Sequence, residues 1–91
     1  MMSVNLQNIQ SYEIQRQQID GSNSAAIQQA ETEWNKEVNE YAQQIRSLTF
    51  LIDLFKNTKN DALAKQAESI YTNSQTQASS VLHPGVMSQI F

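Results

Sequence analysis

One run of apolar residues constrains this chain more than anything else in it. Trp34, Val38, Tyr41, Ile45, Leu48, Ile52 and Phe55 recur at alternating spacings of four and three. That heptad phase gathers all seven on one side of an α-helix, whereas a strand, with its period of two, would scatter them over both faces. A seam so narrow is stable only when another helix covers it. The expected fold class is therefore all-α, a small helical hairpin or coiled-coil-like bundle, and the seam speaks of packing rather than of chemistry.

Punctuation divides the chain. Between Gly21 and Pro84 there is neither glycine nor proline, so nothing over that span removes a helix hydrogen bond or invites a left-handed turn. A short N-terminal helix is expected within residues 1–20, with a weaker seam of Met2, Leu6, Ile9, Tyr12, Arg16 and Ile19 that Arg16 interrupts. Asp20-Gly21-Ser22-Asn23 should end it, with Gly21 free to take positive φ and Asn23 or Ser24 placed to cap the next helix. Residues 24–82 read as a long central helix and a third helix, the latter with a thinner seam of Leu63, Ala67, Ile70, Ser74, Gln77 and Val81. Phe55 and Leu63 are one residue out of phase, and the Asn57-Thr58-Lys59-Asn60-Asp61 stretch between them is rich in capping residues. A hairpin turn explains both facts. One continuous rod with a local phase shift explains only the first. Residues 83–91 form an apolar tail behind the His83-Pro84-Gly85 helix stop, and the whole reads as a single domain.

The end of the central helix is apolar over too much of its circumference. At 100° per residue, Leu48, Phe50, Leu51, Ile52, Leu54 and Phe55 sweep ~200°, where an ordinary amphipathic stripe needs ~100°. One hairpin partner covers one side. Phe50 and Leu54, pointing away from the seam, must then meet either the folded-back first helix or another molecule. Together with the tail residues Val86, Met87, Ile90 and Phe91 they are the candidate contacts with another chain.

No constellation for chemistry emerges. Glu33, Glu37 and Glu40 share a helix face, yet no histidine or second acidic helix accompanies them, so they read as a solvated face rather than a metal or acid–base site. The single histidine, His83, is expected near a helix C-terminus, where imidazolium complements the dipole. No serine or threonine sits in a Gly-rich elbow or phosphate loop. No enzyme, cofactor, metal or small-molecule substrate is therefore expected. Six basic against nine acidic residues give a net charge of −3 and no cationic field for nucleic acid, so Trp34, Tyr12, Tyr41 and Tyr71 read as packing residues rather than base-stacking platforms. The longest apolar stretch, Leu48 to Phe55, would rise only ~12 Å against a hydrocarbon core of ~30 Å, so no membrane span is expected.

Ninety-one residues without cysteine make a modest core, and partner helices are the remaining source of stability. The expectation is accordingly a non-enzymatic helical assembly subunit, packing with copies of itself or within a larger machine such as a secretion apparatus or a virus particle. The start of the chain lacks the basic and apolar regions of a cleavable secretory signal. Its Ser, Asn, Gln and Ile content loosely resembles signals read by type III secretion machines. The alternative is a small helical adaptor, chaperone or inhibitor that offers one face to a single different protein.

Overall fold

The computed structural model describes residues 2–91, with side-chain surroundings from Leu6 onward. Met2, expected at the head of the first seam, thus lies outside the described side chains. Among the described residues there are four helices and no strand: α1 (Met2–Gln18), α2 (Ser24–Asn57), α3 (Asp61–Ser79) and α4 (Pro84–Ile90). They sort into two compact units, Met1–Tyr41 and Ala42–Phe91. The division falls inside α2, where the sequence has neither glycine nor proline.

The first unit joins α1 to the start of α2. Its buried apolar residues are Leu6, Ile9, Ala30, Val38 and Tyr41, with Tyr12, Ile27 and Trp34 half-buried. Burial pushes the Tyr41 hydroxyl above the usual phenol range. Arg16, which interrupts the α1 seam, stands in solvent, and its Nε lies 3.2 Å from Glu31 Oε1 of α2, an exposed pair that contributes little to stability. The link between the helices closes without a left-handed glycine, contrary to the expectation for Gly21. An Asx turn closes it instead: the Ser22 N–H donates to Asp20 Oδ1 at 3.0 Å. Hydrogen bonds from the Ser22 backbone and side chain hold the Asp20 carboxyl below its ordinary value. Asn23 then caps α2, accepting from the Ala26 N–H through its side chain at 3.3 Å and from the Ile27 N–H through its carbonyl at 3.1 Å.

In the second unit the chain turns between Asn57 and Asp61, which excludes the continuous rod. The Asn60 N–H donates to the Phe55 carbonyl at 2.8 Å and the Lys59 N–H to the Lys56 carbonyl at 3.1 Å. That pair of bonds is a Schellman motif, and it requires a left-handed residue at Lys59, whose φ is 60°. Asn60 also serves as the N-cap of α3, its side chain accepting from the Leu63 N–H. The turn folds α3 back along α2, so that Lys56 Nζ meets Glu68 Oε1 at 2.8 Å.

The face that α3 buries differs from the expected one. Ala64, Ala67, Ser74 and Ala78 are buried, while Leu63 and Ile70, assigned to the seam by their size, are 39% and 50% exposed. Gln77 is exposed as well and Val81 half-buried; of the expected α3 seam only Ala67 and Ser74 lie inside. The physical reason is volume. Ile45, Leu48 and Ile52 are the large buried side chains that α2 brings to this unit, and small side chains are what let a second helix approach such a face to the ~8–10 Å at which helices pack.

The C-terminal segment is helical, and here the role of Pro84 is reversed. The α3 helix ends at Ser79, four residues before His83, and Pro84 opens α4 rather than closing a helix. Proline fits the first helical position because the amide it lacks would have no intrahelical acceptor there. His83 is consequently the N-cap residue of α4, not a cation at a helix C-terminus. Val86 and Ile90 are buried with Leu82, and the Phe91 ring packs edge-on against Tyr71 of α3 with centroids 5.5 Å apart.

Two outcomes are expected. Lys59→Gly removes the steric cost of a left-handed side chain and should stabilise the protein by about 0.5–1 kcal/mol, whereas Asn60→Ala should cost about 1 kcal/mol, both read from urea unfolding. Ala67→Leu should destabilise by about 1–3 kcal/mol through overpacking, and Ile70→Ala should change stability by less than about 0.5 kcal/mol. The reverse ranking would restore the seam through Ile70.

Candidate protein-docking surface

Seven residues of the α2 seam divide by depth. Val38, Tyr41, Ile45, Leu48 and Ile52 are buried, Tyr41 to 1% exposure, while Trp34 and Phe55 at the two ends are half-buried. The other arc of the same helix is open. Phe50 is 67% exposed, and Leu51 and Leu54 are exposed beside it. At 100° per residue, Phe50 and Leu54 lie ~160° from the middle of the face that Ile45, Leu48 and Ile52 bury, on either side of its opposite pole. Both therefore point to solvent from a well-formed helix and owe their position to their spacing alone.

The remaining candidates fall elsewhere. Val86 and Ile90 are buried within the second unit, and Met87 and Phe91 are half-buried there. Val86 and Ile90, expected as contacts with another chain, have their side chains turned inward. A seven-residue helix opened by Pro84 brings these two, one turn apart, onto one apolar side, and the unit's own core covers it. Phe91 is anchored too, by Tyr71, whose hydroxyl lies 3.5 Å from the Phe91 carbonyl. A cleft of about 460 Å³ opens along this junction, lined by Gln75, Ser79, Leu82, Pro84, Met87, Ser88 and Phe91.

Sequence reasoning missed part of the exposed surface. Leu63 and Ile70 lie on one flank of α3, and in an antiparallel pair that flank is on the same side as the flank of α2 bearing Leu51. Helix α4 occupies the other side, by Gln75 and Ser79. The signal that would have revealed this was the row Ala64, Ala67, Ser74 and Ala78, in heptad phase and offset from the row of larger side chains.

Among the described residues no three of His, Cys, Asp and Glu cluster as metal ligands, and no helix is long and apolar enough to cross a membrane. In the first unit a cleft of about 280 Å³ is lined by Glu13, Arg16, Ala30, Glu31, Trp34 and Asn35. Its charged rim is closed by the Arg16–Glu31 pair, and the Trp34 Nε1 is buried without a hydrogen-bond partner among the described residues. No protein family, characterised protein or solved structure matches this chain.

Exposure decides how the two arcs of α2 should respond to substitution. Phe50→Ser is expected to move unfolding stability by less than about 0.5 kcal/mol at low protein concentration, and Leu48→Ala to cost about 2–5 kcal/mol, measured by urea unfolding under the same conditions.

Proposed function

We propose that this protein is a non-enzymatic helical assembly subunit, whose helices pack with copies of the same chain in its working state. The observation that carries the reading is the open apolar arc at Phe50, Leu51 and Leu54, on a helix whose opposite side already holds the core of the unit. Aromatic and leucine side chains that a fold leaves in water are anchors for another surface, because desolvation on contact is their main contribution. A larger machine such as a secretion apparatus or a virus particle is the kind of setting in which so small a chain, with a net charge of only −3, serves as a repeated part. The docked tail favours self-packing over an adaptor role, since Val86 and Ile90 give no free arm to a different partner.

Sedimentation across a concentration series should show reversible growth in mass for the wild-type chain. Phe50→Asp should hold it monomeric with unchanged circular dichroism. A chain that stays monomeric throughout, and gains mass only with another protein, would make it an adaptor instead.

A further inference from the structure

We infer that the open arc of α2 is an isologous dimer contact, in which two copies lay the Phe50–Leu54 faces of their α2 helices together antiparallel, with Arg46 of each copy paired to Asp53 of the other. The inference rests on the self-packing reading above and adds its geometry. Phe50 and Leu54 supply the apolar centre, and the charges around them supply the orientation.

Arg46 and Asp53 are seven residues apart on α2, about 20° from one another in projection, and both are exposed along the same edge of the Phe50 face. Arg46 stands three residues before Thr49, and Asp53 stands three residues after Phe50. A two-fold axis crossing the helix between Thr49 and Phe50 therefore exchanges the two positions. Because the handedness of both helices is the same, an antiparallel pair brings matching edges together, so each Arg46 meets the Asp53 of the other copy and two ion pairs form per dimer. A parallel pair would set the Arg46–Asp53 edge of each copy against the other copy's uncharged edge of Ser47, Leu51 and Thr58, so neither ion pair could form. The edge on the other side of Phe50 carries Ser47, Leu51 and Thr58 and has no charge to contradict this register.

The two charges are also available. Ion pairs among the described residues engage Arg16 with Glu31 and Lys56 with Glu68, so Arg46 has no such partner among them. Lys56, one turn from Asp53, is held by Glu68, and that bond, with a smaller charge effect from Asp53, raises the Lys56 ammonium above its ordinary value. A contact of three apolar side chains from each copy is small, and a dissociation constant of ~10 µM to ~1 mM is expected.

Charge exchange tests the register directly. Arg46→Asp and Asp53→Arg, each alone, should weaken dimerisation about 10-fold, because each turns both ion pairs into like-charge pairs. Mixing the two variants should restore dimerisation, since a heterodimer of one Arg46→Asp chain with one Asp53→Arg chain regains opposite charges at both sites. The variant carrying both changes should dimerise like wild type, and Phe50→Asp should lose at least about 30-fold. Sedimentation equilibrium gives the constants, and circular dichroism on the same samples confirms that the helices persist. If the wild type self-associates but mixing restores nothing, this register is wrong while the assembly reading stands. If the wild type is monomeric up to ~1 mM, the upper end of the affinity expected for so small a contact, the dimer and self-packing fall together.

Discussion

Helix α3 presents Ala64, Ala67, Ser74 and Ala78 to the core, and that choice of small side chains governs the second unit. Branched residues on both helices would hold them apart and leave gaps between rotamers. Small buried residues on α3 complement the large buried Ile45, Leu48 and Ile52 of α2, since a large row packs closely only against a small one. The cost of the arrangement is that Leu63 and Ile70 are displaced to the flank and into water. The core of this unit is therefore narrow, and the exposure of Leu63 and Ile70 follows from the way it is packed.

The fold class was legible because heptad spacing and the absence of glycine and proline over most of the chain leave few alternatives to helix. The α2 face was legible for the same reason: its large residues and its buried residues coincide at Val38, Tyr41, Ile45, Leu48 and Ile52. On α3 size and burial separate. Two heptad rows run side by side there, and a hydrophobicity scale selects the row with Leu63 and Ile70, whereas packing against a bulky partner selects the row of alanines. Local pattern alone does not contain the partner's volume.

The turns show a second limit. Reading glycine and proline as breaks located the link after α1, but Gly21 has no positive φ and Pro84 begins a helix instead of ending one. Among the described residues the left-handed position is Lys59, inside a Schellman turn whose sequence sign was the surrounding Asn57, Thr58 and Asn60. Capping chemistry located that turn correctly because Asn60 satisfies the first amides of α3 whatever residue precedes it. The conformational rule for glycine states a preference, and hydrogen bonds at both helix ends outweigh it here.

Magnitudes limit what the open arc of α2 can do alone. Fully burying a leucine or phenylalanine side chain is worth about 1.5–3 kcal/mol, and Phe50, Leu51 and Leu54 are already partly shielded by their own helix. Association costs at least about 4 kcal/mol of lost translational and rotational freedom, so one copy's three anchors against an inert surface would barely bind. Two-fold symmetry changes the sum, because each anchor is counted twice while the entropy of association is lost once. The same logic extends to a larger assembly, where a second weak contact, such as the flank bearing Leu63 and Ile70, becomes intramolecular once the first has formed. Weak, repeated and reversible contacts suit a chain with few charges and a mostly polar exterior, since wrong pairings dissociate before further contacts can trap them.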